Sequence, residues 1–437
     1  MKNKAEGKGW IAPWRVVVAA FLCVVSFTVA AQGLPRASSP EEVGLSSARL
    51  QRLTETFKAE IDKGTMPGAV LLVARNGKVA YFEALGVRDP VAGDAMPRDA
   101  IFRLASMTKP FVSVAVMMLA EEGKLVLTDP VSRFLPELKG VQVGVEQRDA
   151  DGAVKLALEP ARREMTVQDL LRHTAGLTYG QFGPRTLVKT AYLDAAMNSN
   201  ELTGAEFIGR LAKLPLAHQP GTTWDYSVAV DVLGHLVEAV SGQDLDTFIR
   251  ERISRPLKLQ DTGFYVTDPG ARRVAESHVD KANGQRLVPR NVTRRPPRYG
   301  GGGGMISTAA DYGRFCQMLL NGGELDGVRI VSKQTVASMT SNHLPAGIRY
   351  TPHAIGLGAA SPSPEVGQGW GLGFVVRTEP GKNPLPGSVG EYYWNGASGT
   401  AFWVDPKERL IAVMMIQAPG QQRLRALMRQ LVYQSIN

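Results

Sequence analysis

Residues 102–119 read FRLASMTKPFVSVAVMML. Positions Phe111 to Leu119 are apolar almost all round, so the helix they form has no solvent face and the rest of the chain must enclose it. Ser106 and Lys109 stand at the head of this helix, three residues apart and therefore on one face of a turn of 3.6 residues. The Lys109 amine is aimed back toward the Ser106 hydroxyl. A serine hydroxyl becomes a useful nucleophile only when a neighbouring base takes its proton. Unpaired N–H groups and the dipole at a helix start also favour an oxyanion forming there. Pro110 suits the first turn, where its missing N–H costs little. The spacing alone is weak, because serine and lysine are common in 437 residues. The plain alternative is an exposed cap serine beside a solvated lysine. A serine and a lysine at the mouth of a buried helix, however, face a cleft.

The stretch Phe102–Leu135 resembles the serine β-lactamase and penicillin-binding-protein superfamily. It is most similar to the class C β-lactamase-related branch, which includes family VIII carboxylesterases and D-amino-acid peptidases. Further resemblances follow in order: Val167–Leu177 (VQDLLRHTAGL), Pro220–Val228 (PGTTWDYSV), Gly301–Asp311 (GGGGMISTAAD) and Trp394-Asn395-Gly396. They cover about residues 40–437. The resemblance implies a Ser106, Lys109 and Tyr226 catalytic set, with Tyr226 and Lys109 together acting as the base for Ser106. A phenol has a reference pKa near 10 and serves as a base only beside a cation. The resemblance also implies an oxyanion hole from the Ser106 and Ala397 N–H groups.

Two departures bear on the substrate. Class C enzymes carry Lys-Thr-Gly where this chain has Trp394-Asn395-Gly396. A lysine there would pair with a substrate carboxylate, whereas tryptophan has no charge and one donor. Losing such a charge-assisted contact costs on the order of 1.5–3 kcal/mol. Val228 stands where β-lactamases carry an asparagine that bonds a substrate amide. Both changes remove handles for penicillins and peptides and leave the acyl-transfer groups in place. Trp394, Asn395, Gly396 and Val228 are thus expected to shape a substrate site for carboxylic esters. A β-lactamase or D-amino-acid peptidase, an acyltransferase, and a binding or scaffold protein without catalysis are the alternatives. A small-molecule ester or amide is the expected partner, and no cofactor is implied.

Periodicity gives an α+β fold. Leu50, Leu53, Phe57 and Ile61 mark an amphipathic helix capped by Ser46 or Ser47. Ala69–Arg75 and Lys78–Leu85 read as strands joined at Asn76-Gly77. A second hairpin is expected within Val141–Leu158, turning at Asp151-Gly152. Late strands are expected at Gly371–Arg377, Tyr392–Asn395, Thr400–Val404 and Leu410–Gln417, before a closing helix bearing Leu424, Leu427, Met428, Leu431 and Val432. The expected architecture is an antiparallel sheet built from the N- and C-terminal segments (about residues 41–100 and 365–437) and flanked by helices, with a largely helical region (about 101–364) inserted. The resemblance implies the same β-lactamase/transpeptidase-like arrangement, with the active site between the two parts.

Basic residues precede the apolar run Val16–Ala31, so residues 1–31 read as a signal peptide and residues 32–437 as one hydrolase domain. The run is shorter than a comfortable spanning helix, which favours cleavage over anchoring and predicts a periplasmic or secreted protein with no stable membrane span. The net charge is +9, of which residues 1–31 carry +3. The remaining basic residues are scattered apart from Arg290, Arg294, Arg295 and Arg298, which read as a solvated loop; no nucleic-acid partner is implied. Cys316, at apolar helical spacing, reads as core. The six histidines show no metal spacing, and His173 reads as a structural hydrogen-bonder. Gly301–Gly304 lacks a phosphate-loop ending and reads as flexible backbone near the cleft. No Gly-x-Ser-x-Gly elbow occurs.

Overall fold

The computed structural model describes residues 33–267, 270–277 and 290–437. The segment expected to be a signal peptide lies outside the described residues, apart from which the chain forms one unit. The expected first helix is α1 (Ser47–Asp62), whose cap Ser46 accepts from the Arg49 N–H. The first hairpin is β1 (Gly68–Arg75) and β2 (Lys78–Asp89), extended by the short β3 (Asp94–Ala95). The apolar segment is α2 (Lys109–Glu121), in which every residue from Lys109 to Leu119 is buried. Burying each of its large side chains stabilises the fold by roughly 1.5–3 kcal/mol. The other helices that matter here are α3 (Ala229–Ser241) and α4 (Ala309–Leu320).

The chain then returns to the sheet. Gln368–Trp370 (β4) and Val375–Arg377 (β5) replace the single strand expected over Gly371–Arg377. Gly371 and Gly373 turn the chain between them, and the Gly371 N–H donates to Phe374 O. Strands β6 (Tyr392–Asn395), β7 (Ala401–Asp405) and β8 (Leu410–Ile416) and helix α5 (Gln422–Tyr433) follow the sequence reading. The sheet order is β4-β5-β6-β7-β8-β1-β2-β3, antiparallel throughout. The central pair β1 and β8 joins the two ends of the chain, as expected. The second expected hairpin lies in the inserted region at Val143–Arg148 and Val154–Glu159.

Alternation across β6 and β7 decides which side chains meet the site. Tyr393 lies opposite Trp403, and Trp394 opposite Phe402. The Trp403 ring stacks on Tyr433 of α5, whereas the Phe402 ring packs on Tyr312 of α4. Tyr393, Asn395 and Trp403 therefore face α5, and Trp394 faces the opposite side. Cys316 is wholly buried in α4, and burial pushes its thiol up. No helix among the described residues is long and apolar enough to cross a membrane.

Candidate active site

Ser106 lies in a 3-10 turn, Ala105–Thr108, that feeds directly into α2. Ala105, just before it, has φ of 47°, a conformation that costs a non-glycine residue energy and recurs where surrounding structure fixes a functional side chain. Lys109 is the first residue of α2 and has no solvent exposure. Its Nζ donates to Ser106 Oγ at 3.4 Å, to Tyr179 Oη at 3.4 Å and to Gly302 O at 2.7 Å. It also sits 4.5 Å from the centre of the Tyr226 ring. These neighbours include no carboxylate, so the amine is held by neutral oxygens and an aromatic face.

Tyr226 reaches the same place from the loop before α3. The Asp225 N–H donates to His173 O, and the Ser227 N–H to His173 Nδ1, so the backbone on both sides of Tyr226 hangs on one residue. The His173 ring lies 4.9 Å from that of Tyr226. Burial, with the nearby Lys109 charge, holds its pKa well below the usual range, and it stays neutral. This is the structural role expected of it. The Tyr226 hydroxyl accepts from Trp394 Nε1 at 3.2 Å. Lys109 meets Tyr226 through the face of its ring, and the hydrogen bonds of the amine go to Ser106, Tyr179 and Gly302.

The strand end is locked onto the serine segment. Thr400 Oγ1 donates to Leu104 O at 3.0 Å, and Ser398 Oγ to Arg103 O at 2.7 Å. A side chain at Gly396 would collide with Thr400 and with Leu104 O, so only glycine allows this approach. Ser106, Tyr226, Val228 and Ala397 then line one cavity of about 250 Å³. Of the expected substrate-binding residues, Val228 lines that cavity. Trp394 is buried and spends its indole N–H on Tyr226. Gly396 acts through the close approach of its backbone. Asn395 departs from the expectation: it faces α5 and lines a different cavity, because consecutive strand residues point to opposite faces.

Sequence reasoning missed Tyr179, Asp231 and the carbonyl of Gly302. The Tyr179 hydroxyl bonds Lys109 and donates to Asp231 Oδ2 at 3.5 Å; burial and the Asp231 charge hold its pKa well above the usual value. Asp231 in turn pairs with Arg298 at 3.0 Å. The Gly301–Gly304 run is packed rather than loose: a side chain on Gly302 would run into Asp231 and Tyr179. The basic cluster is also not wholly solvated. Arg294 and Arg295 are exposed, but Arg290 and Arg298 line the cavity. Arg290 bonds the carbonyls of Phe264 and Gly304, and burial lowers its pKa to about 10.

A buried amine beside a part-exposed hydroxyl, with a phenol packed on that amine, can move a proton off the hydroxyl and return it to a leaving group. The chain is 40% identical over 364 residues to Protein Rv1367c of Mycobacterium tuberculosis, covering 82% of this chain and 87% of that one. It is 31% identical over 388 residues to Esterase EstB of Burkholderia gladioli (84% and 90%). The solved structure of EstCE1, a hydrolase with promiscuous acyltransferase activity, superposes with a TM-score of 0.72 at 26% identity (88% and 98%). The fold is the β-lactamase/transpeptidase-like fold. Residues 53–434 match the Beta-lactamase family model, and the chain belongs to the Beta-lactamase family.

Proposed function

We propose that the protein is a serine hydrolase that cleaves carboxylic esters through an acyl-Ser106 intermediate. The observation that carries this reading is the Lys109 amine, fully buried, 3.4 Å from Ser106 Oγ and packed on the Tyr226 ring. Lys109 and Tyr226 take the Ser106 proton as its oxygen attacks the acyl carbon, and they return it to the departing alcohol. The Ser106 and Ala397 N–H groups hold the oxyanion at the cavity wall. Water then repeats the attack on the acyl-serine. An ester is favoured over a β-lactam because the strand position that would carry a cation holds Trp394, whose single donor is engaged, and because Val228 offers the cavity no amide partner.

The EstB and EstCE1 similarities support an esterase, and the acyltransferase activity named for EstCE1 supports a second reading in which an alcohol replaces water as acceptor. The protein is proposed to act outside the cytoplasm after cleavage before Gln32; N-terminal sequencing of the exported protein checks this. Turnover of p-nitrophenyl butyrate should greatly exceed turnover of nitrocefin, and comparable rates would overturn the ester assignment. Adding a competing alcohol and quantifying acid against new ester separates hydrolysis from transfer.

A further inference from the structure

Helix α5 presents two arginines, one turn apart, to the end of β6. Leu424, Met428 and Val432 seat this helix on the sheet. Arg429 is paired: its guanidinium meets Glu391 at 2.6 Å and lies 4.9 Å from the ring centres of Tyr393 and Trp403. Arg425 has no acidic partner among the described residues. Its Nη2 donates to Gly396 O at 2.5 Å, and its Nε is buried without a partner. Burial lowers its pKa to about 10, so the guanidinium stays charged at neutral pH. A charge withdrawn from water needs compensation, and here a single backbone carbonyl supplies it.

That carbonyl belongs to the peptide unit whose nitrogen is that of Ala397. Gly396 O also accepts from the Gly399 N–H at 3.1 Å, closing a turn, and the Gly396 N–H donates to Thr400 O at 2.8 Å. Both lone pairs of the Gly396 oxygen are thereby used. A trans peptide places its N–H opposite its C=O. With the oxygen held by α5 and the turn, the Ala397 N–H is directed to the other side, and Ala397 lines the catalytic cavity with Ser106. The Ala397 N–H has no acceptor among the described residues, so it is a free donor beside the nucleophile.

We propose that Arg425 is a positioning residue for the oxyanion hole, acting from α5 through the Gly396–Ala397 peptide without touching substrate. This role rests on the acyl-Ser106 reading. The hydrogen bond from Arg425 holds the tilt of the peptide plane. Its charge draws electron density toward the carbonyl oxygen, which makes the N–H at the far end of the same peptide a stronger donor. Negative charge on the acyl oxygen develops only as Ser106 attacks, so the gain falls on the transition state and not on substrate binding.

The test compares Arg425→Met, which removes donor and charge, with Arg425→Lys, which keeps both, in the full chain. Two rates are read: labelling of Ser106 by a fluorophosphonate probe, followed by intact mass, and steady-state hydrolysis of p-nitrophenyl butyrate. Removing an oxyanion donor outright costs about 10²–10³ in kcat. Arg425→Met leaves the N–H in place and frees its orientation, so the labelling rate and kcat should fall about tenfold to thirtyfold, with KM within about twofold of wild type. Arg425→Lys should restore both rates to within about threefold of wild type. Circular dichroism melts check folding, and Arg425→Gln, expected to lose about tenfold, takes the place of Arg425→Met if that variant is unfolded. Wild-type rates in a folded neutral variant, a loss carried by KM alone, or a loss that Arg425→Lys does not recover would each overturn the role of Arg425 and leave Ser106 as the nucleophile. An unlabelled Ser106 in the wild-type protein would instead overturn the acyl-Ser106 reading, and the role with it.

Discussion

The indole Nε1 of Trp394 lies 3.2 Å from the hydroxyl oxygen of Tyr226, and both side chains are buried. The residue that replaces the superfamily's strand cation therefore does more than remove a charge. It aims a donor at the phenol oxygen, where negative charge develops if Tyr226 gives up its proton to relay another. The third motif and the tyrosine motif, 168 residues apart in sequence, are joined by this single hydrogen bond.

Trp394→Phe keeps an aromatic ring and deletes the donor. We expect kcat for an activated ester to fall about tenfold with KM little changed, the pattern of an interaction strengthened in the transition state. Tyr226→Phe should cost more, about 10²–10⁴, the usual scale for a positioned proton-transfer group. Steady-state kinetics of the two variants checks the ranking. Wild-type kcat in Trp394→Phe would mean that the indole only fills space.

Tyr179→Phe should lower kcat about tenfold, less than Tyr226→Phe, because Tyr179 orients the Lys109 amine while Gly302 O still holds it. Asp231→Asn should act in the same direction, since Asp231 accepts from Tyr179 and pairs with Arg298. A loss in Tyr179→Phe as large as that in Tyr226→Phe would exchange the roles of the two phenols.

Asp169 supplies a stability prediction. Burial alone would raise its pKa, but hydrogen bonds from Arg163, the Thr166 N–H and Arg172 outweigh burial and hold it at about 2, against an ordinary 3.8. A depressed folded value stabilises the fold above the unfolded pKa, and this contribution is lost as pH falls through about 2. At neutral pH it amounts to about 2 kcal/mol. Asp169→Asn should lower the thermal midpoint by several degrees at pH 7, and its gap to wild type should narrow steadily below pH 4. A gap that stays constant with pH would assign the loss to packing.

The sheet and the head of α2 were legible because their signals are local. The Asn76-Gly77 turn, the alternation of β6 to β8 and the all-round apolar run after Lys109 each depend on neighbours within a few residues. The strand expected over Gly371–Arg377 broke because two glycines favour a turn over a continuous ladder. Asn395 was placed on the catalytic side by motif position, although strand alternation already puts it opposite Trp394. Tyr179 and Gly302 could not be reached by spacing: they meet Lys109 across 70 and 193 residues. The one signal for Gly302 was the glycine run itself, which marks close backbone approach as readily as flexibility. Arg298 looked solvated because its partner, Asp231, lies 67 residues upstream.

The most direct test is acid-quenched mass spectrometry of the protein during turnover of p-nitrophenyl butyrate. A butyryl mass should appear on the peptide containing Ser106, be chased away as substrate is exhausted, and be absent from a folded Ser106→Ala variant. Acylation at another residue, or Ser106→Ala activity above about a hundredth of wild type, would contradict it.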